Sequence, residues 1–274
     1  MGLLLIIPTG CSNCLGSRMR INVFLLAVLV AWSVEPGDAG EQLEFFPELA
    51  EWSAAGLVFY TARWLDHQPA WGDRCFFNQP DDKPYRENTV STTTLYTAAG
   101  LTGLGIGLIP NNDGWLRVSS YRHAQGLVET LSGTYLLTVV GKNLIGRRRP
   151  SYANYPANDR IDAGKSFPSG HTSISFAIAT YSSLYARDYF GDSGKETGPL
   201  IYTTTSHLLA AYVGYTRIID NRHFLSDVIA GGLLGSGVAW LVYEYQQRKN
   251  PAEDSSNETS KSVVPVFLTV SIPL

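Results

Sequence analysis

The residues of this chain best suited to chemistry are a run of cations, a Ser-Gly-His triplet and a histidine–aspartate pair. Residues 142–165 hold Lys142, Arg147, Arg148, Arg149, Arg160 and Lys165 against only Asp159 and Asp162. A solvated loop would explain such a run alone. Here Phe167-Pro168-Ser169-Gly170-His171 follows it and opens an apolar stretch with helical character. The first turn of a helix has unpaired N–H groups and a positive dipole end, so it favours anions. Gly170 lets that backbone come close to a ligand. Beside guanidinium and ammonium groups, the combination predicts a phosphate-sized anion site. Further on stand Thr216-Arg217, His223 and Asp227. On a helix, His223 and Asp227 would share a face and meet. A carboxylate on one imidazole nitrogen fixes the tautomer and makes the other a better nucleophile or base. Such a pair is commonly structural; the company of Arg217 and the upstream cations argues for chemistry.

These groups have to be brought together by the elements between them. Leu49–Leu65 is predicted to be an amphipathic helix and residues 66–89 a proline-rich loop. Ser91–Pro110, Ser166–Ala186, Gly198–Thr216 and Val228–Tyr243 carry no charge, and Gly126–Gly141 carries only Glu129. They lack the alternation of strands, so they predict helices. If these five blocks run up and down with short connections, Lys142–Arg149 ends the second and Ser169–His171 begins the third. Arg217–Asp227 then joins the fourth to the fifth, and all three groups fall at one end of an all-α bundle. Glycines recur at 100, 103, 105 and 107 and at 231, 232, 235 and 237. Their cost inside helices predicts close approach of neighbouring backbones.

The 274 residues are 45% apolar and 16% charged, which excludes a disordered chain. Three cysteines exclude a disulfide scaffold. Acidic residues outnumber basic ones, 24 to 21, which argues against a nucleic-acid partner. His67, His123 and His207 have no chelating spacing and read as surface or core residues. Met19-Arg20, the apolar run Ile21–Val34 and small residues at Gly37 and Ala39 read as a signal peptide over residues 1–40, with Met19 the expected start. An uncleaved anchor is the alternative. Of the three cysteines Cys75 alone lies beyond that segment, and it reads as a small buried hydrophobe. One domain is expected over residues 41–249, then a polar linker and a short apolar segment over residues 250–274.

Lys142-x6-Arg149-Pro150, Pro168-Ser169-Gly170-His171 and Arg217-x5-His223-x3-Asp227 together resemble the three-part signature of the type 2 phosphatidic acid phosphatase (PAP2) superfamily. That superfamily includes lipid phosphate phosphatases, bacterial class A acid phosphatases and vanadium haloperoxidases. Phe76-Phe77-Asn78, Asp81-Asp82 and Pro84-Tyr85-Arg86-Glu87-Asn88-Thr89 are most similar to the lipid phosphate phosphatase branch. One departure is Thr216, where the family usually has serine; the hydroxyl is kept.

The resemblance implies a helical bundle of the PAP2/haloperoxidase type and a phosphatase acting on a phosphomonoester or diphosphate. It implies that Lys142, Arg149, Arg217, Ser169 and the Gly170 N–H hold the phosphate. His223 would attack phosphorus to form a phosphohistidine, Asp227 would orient it, and His171 would protonate the leaving oxygen and then activate water. One histidine starts neutral and the other protonated, which implies an acidic to neutral optimum. No metal and no cofactor are implied. Alternatives are a soluble acid phosphatase acting on small phosphomonoesters, a vanadium haloperoxidase and a non-catalytic anion-binding protein. The expected partners are a phosphorylated lipid or small phosphomonoester and a membrane surface, and homo-oligomer formation is left open. The helical blocks are rich in Thr, Ser, Tyr and Gly, poor material for lipid contact. With the signal segment, this favours an exported, periplasmic enzyme of the cell envelope over a multi-pass inner-membrane protein with its active site on the outer side.

Overall fold

A computed structural model describes residues 45–72, 81–110, 118–191 and 196–249. The expected signal segment, the C-terminal tail and Cys75 lie outside the described residues. The described residues contain no strand, and the helices are α1 (Phe45–Asp66), α2 (Thr92–Leu108), α3 (Val118–Ile145), α4 (Arg160–Ala163), α5 (Gly170–Phe190), α6 (Thr197–Ile219) and α7 (Leu225–Lys249). Each predicted block is a helix. The second starts earlier than the stretch Gly126–Gly141, because Arg122 and His123 continue the helix on which they stand.

Local chemistry sets the ends that matter. Ser91 caps α2 by accepting from the Thr94 N–H at 3.1 Å, and Pro110 follows the last turn. Gly146 ends α3 at φ +59°, and a side chain there would run into the Gly72 carbonyl. That turn sends Arg147–Arg149 back across the bundle end. Lys142 lies in the last turn of α3, where the helix dipole favours a cation. Ser169 precedes α5, and its N–H donates to the Asp227 carbonyl at 3.0 Å, tying two helix starts together.

Helix α5 is the centre: α2, α3, α6 and α7 all pack on it, while α1 packs on α3. At the end away from Lys142, Tyr181, Tyr185 and Tyr189 of α5 form a core with Ile106, Leu127, Ala239 and Tyr243. Much of the remaining interior is polar, including Thr130, Thr134 and Thr138 of α3 and Ser173, Ser182 and Ser183 of α5. Apolar side chains instead stand outward, as with Leu57 on α1, Leu101 on α2, Leu208 and Leu209 on α6, and Leu233 and Leu241 on α7. On α3 and α5 the Ser, Thr and Tyr that lower the hydropathy are mostly interior, so there the composition does not describe the outer surface. On α2 and α6 those residues, such as Thr93, Tyr96, Thr204 and Tyr212, stand outward among the apolar side chains.

The glycines divide. On α7, the place of a Gly231 Cβ lies 2.6 Å from the Ser169 carbonyl, and one on Gly235 would collide with the Ser173 carbonyl. Those two allow α7 to lie against the start of α5. The α2 glycines do not serve this purpose: Gly100 faces open space, and Gly103, Gly105 and Gly107 have ordinary contact distances.

Candidate active site

The up-and-down course brings the end of α3, the start of α5 and the α6–α7 junction to one place. A cavity of about 360 Å³ lies there, and Lys142, Arg149, Gly170, His171, Arg217 and His223 all line it. Of the eight residues singled out in the sequence, these six share one wall. Ser169 and Asp227 stand behind it, fully buried.

His223 Nε2 is 3.2 Å from Arg149 Nη1. A guanidinium only donates, so this nitrogen holds the lone pair and the ring proton belongs to Nδ1. Nδ1 faces Ser166 Oγ at 3.4 Å and Asp227 Oδ2 at 3.5 Å. The sequence reading put His223 and Asp227 on one helix; His223 instead precedes α7, and Asp227 occupies its first turn. They meet because Asp227 caps that turn, accepting from the Phe224 N–H at 2.9 Å. Its carboxylate also accepts from Ser166 Oγ at 2.5 Å and from Arg147 Nη1 at 2.6 Å. Burial lowers the pKa of His223, the Arg149 charge lowers it further, and Asp227 opposes both; the result is about 4. The ring is therefore neutral near pH 7, the form a nucleophile needs.

Arg149 is held on three sides. Its Nε–H donates to the Asp162 carbonyl at 2.9 Å, Nη2 to Asp162 Oδ1 at 2.8 Å, and Nη1 to the Arg222 carbonyl at 3.2 Å. Burial alone would raise the pKa of the Asp162 carboxyl, but the charges of Arg149 and Lys142 hold it well below the usual carboxylate range. Lys142 is 9% exposed, and a Cβ on Gly170 would stand 3.7 Å from its ammonium. Glycine keeps the space between that cation and the start of α5 open. The His171 Nε2 is buried with no hydrogen-bond partner, which leaves it free for a ligand atom. Ser169 Oγ accepts from Thr172 Oγ1 at 2.9 Å, and its own hydrogen remains to donate.

Comparison with known proteins finds similarity over the segment that carries this cavity. A family model described as the PAP2 superfamily matches residues 124–251. The chain carries a PAP2 superfamily domain. It is 28% identical over 231 residues to phospholipid phosphatase 2 of Rattus norvegicus, covering 69% of this chain and 82% of that protein. It is 33% identical over 132 residues to a PA-phosphatase related-family protein of Dictyostelium discoideum, covering 45% of this chain. The match spans about half the length of that relative, 48%. Among solved structures, a transmembrane PAP2 type phosphatidylglycerolphosphate phosphatase from Bacillus subtilis is similar at TM-score 0.45 and 15% identity, over 83% of this chain and 96% of that one.

All eight site residues lie within the matched PAP2 domain. Sequence reading missed the residues that hold them. Arg147 was one cation in a run, yet it is the ion-pair partner of Asp227. Ser166 and Asp162 carried no signal beyond proximity to the basic run. Asn88 and Arg222 also line the cavity. Arg222 is buried between aromatic rings, its guanidinium carbon 4.4 Å from the Tyr85 ring centre and 5.1 Å from that of Tyr155. His67, His123 and His207 are respectively exposed, fully buried and partly buried, and none lines the cavity.

Proposed function

We propose that the protein is a metal-independent PAP2-type phosphatase of phosphorylated lipids that works through a phosphohistidine on His223. The observation that carries this reading is one cavity lined by His223, by His171 and by cations that include Lys142, Arg149 and Arg217. A phosphate entering it exchanges contacts with Arg149, Lys142 and Arg217 and with the Gly170 N–H. His223 Nε2 attacks phosphorus in line while His171 gives a proton to the departing oxygen. Water, deprotonated by His171, then cleaves the P–N bond and releases phosphate. Asp227 keeps the Nδ1 proton in place and offsets the positive charge that forms on the ring. The bound phosphate dianion favours a protonated His171, the acid the first step requires, while His223 stays unprotonated at Nε2 and attacks. The cations stabilise the charge of the transition state, the task a metal ion performs elsewhere.

Three observations support a lipid. The rat relative is named a phospholipid phosphatase. Beside its polar wall the cavity has an apolar side that includes Phe59, Leu95 and Leu131. The outer faces of α1, α2, α6 and α7 carry large apolar side chains, and among the described helices α7 has the length, 25 residues, and the composition to cross a membrane. A helix of that length spans about 37 Å, enough for a hydrocarbon layer of about 30 Å. These faces favour a bundle embedded in the bilayer, with the cavity at its outer boundary, over an exported enzyme docking on the surface. Extraction by detergent but not by salt is the expected outcome; release by salt would restore the surface-bound placement.

The decisive assay is phosphate release by the purified protein in detergent, from phosphatidic acid and from a water-soluble phosphomonoester. Faster turnover of the lipid is expected, and His223→Ala should eliminate turnover of both. Preference for the soluble ester would make the protein an acid phosphatase, and unchanged turnover by His223→Ala would remove the phosphohistidine. Full activity in excess chelator is expected; its loss would identify a metal enzyme.

A further inference from the structure

Arg217 is held by Thr216 and by two residues that the signature does not specify, Asp220 and Asn88. We infer that Asp220, with Asn88 and Thr89 of the loop before α2, is a positioning device that aims Arg217 at the phosphate. This rests on the phosphatase reading of the cavity. Asp220 and Thr89 do not line the cavity, so they act through Arg217 rather than on substrate.

Donor accounting carries the argument. A guanidinium has five N–H groups. Arg217 Nε donates to Thr216 Oγ1 at 3.2 Å, and Nη2 to the same oxygen at 3.0 Å and to Asp220 Oδ2 at 3.1 Å. Nη1 donates to Asn88 Oδ1 at 3.0 Å. One Nη1 hydrogen is left for a phosphate oxygen, so Arg217 offers a single aimed donor instead of a free fork. Asp220 is itself fixed from the other side. Its Oδ1 accepts from Thr89 Oγ1 at 2.6 Å, and its Oδ2 accepts from the Thr89 N–H at 2.8 Å.

The loop is tied down independently of these side chains. Arg86 donates to the Ile219 carbonyl at 3.1 Å, and Asn221 donates to the Pro84 carbonyl at 3.0 Å. Anchoring the loop thus needs no buried carboxylate. Asp220 is 4% exposed and Arg217 1%, so the carboxylate's distinctive contribution is to neutralise and orient a buried guanidinium. Asn88 does line the cavity, so the same loop meets the substrate directly.

The test is a double-mutant cycle on the full chain in detergent with phosphatidic acid as substrate. Asp220→Asn should lower kcat/KM by about 10- to 100-fold, most of it in kcat because the lipid tail dominates KM. Thr89→Val, a milder change, should cost about 3- to 10-fold. In an Arg217→Ala background, Asp220→Asn should change activity by less than about twofold, since the group it aims is gone. Calorimetric titration with inorganic phosphate reads the same cycle without turnover, and Asp220→Asn should weaken phosphate only while Arg217 is present. Equal losses with and without Arg217 would overturn the inference. So would a lowered Tm with kcat and KM of the folded fraction unchanged. A wild-type protein that turns over no phosphate ester, yet shows the non-additive phosphate binding, would refute the phosphatase reading and retain the positioning role.

Discussion

The two ends of the bundle each bury a histidine, and they treat it in opposite ways. At the end away from the cavity, His123 is fully buried on α3. Its Nδ1 is 3.2 Å from the Tyr181 hydroxyl and its Nε2 3.1 Å from the Tyr189 hydroxyl. Its ring lies 5.0 Å from that of Tyr243, nearly parallel to it. Both nitrogens are closed by neutral partners. At the other end His223 meets a carboxylate on one side and a guanidinium on the other, and the ring lines an open cavity. His171 beside it has a buried nitrogen with no partner at all. Burial and histidine are common to both ends. What separates them is unspent hydrogen-bonding capacity and positive charge around a space large enough for a ligand.

Substitution should pull the two ends apart, most of all in rate. His223→Ala removes the nucleophile and should reduce turnover by about 10⁴-fold or more. The fold should be little affected, because Asp227 keeps Arg147, Ser166 and the Phe224 N–H. His123→Ala should do the reverse. It leaves a cavity and takes a hydrogen-bond partner from the Tyr181 and Tyr189 hydroxyls, a loss of about 2–4 kcal/mol, with kcat of the folded protein unchanged. Thermal melts and turnover on both variants check the contrast. Loss of activity without loss of stability in the His123 variant would mean that the far end also serves the reaction.

A smaller effect concerns pH. The folded pKa of His223, about 4, lies below the ordinary histidine value. The unfolded chain therefore takes up a proton that the folded one refuses, and this group's contribution to stability falls as pH drops from about 6.5 towards 4. In activity, the neutral nucleophile persists down to about pH 4, so the acid limb of kcat/KM assigned to it should lie there. Asp227 raises that pKa against the other influences, so Asp227→Asn should move the limb to still lower pH, about a unit or less. Movement of the limb to higher pH in that variant would show that His223 is not the group titrating.

The signature residues were legible because each is a chemical type at a fixed spacing, and because five blocks with one charge among them imply an up-and-down course that gathers them. The partners that hold them were not. Asp220 meets Thr89 and Arg147 meets Asp227 across large sequence separations, and no local pattern marks one aspartate or arginine of many. The outward-facing apolar surface was hidden for a related reason. Averaged hydropathy adds the interior Thr130, Thr134 and Thr138 to the exterior of the bundle, so it describes neither face.

The glycines carry that lesson to its smallest measurable effect. In the sequence, the clusters around Gly103 and Gly235 have the same density and predict the same close packing. In the fold, Gly235 lies against the Ser173 carbonyl, directly below the start of α5 that bears His171, while Gly100 has nothing within 4 Å of where a Cβ would be. Gly235→Ala must therefore push α7 from α5 and should lower both Tm and turnover. Gly100→Ala meets no neighbour and removes freedom from the unfolded chain, so it should stabilise by about 0.5–1 kcal/mol and leave turnover unchanged. Thermal melts of the two variants in one detergent test this. A destabilised Gly100→Ala would show that the exposed face of α2 is closely packed in the functioning protein, against a second copy or an ordered lipid.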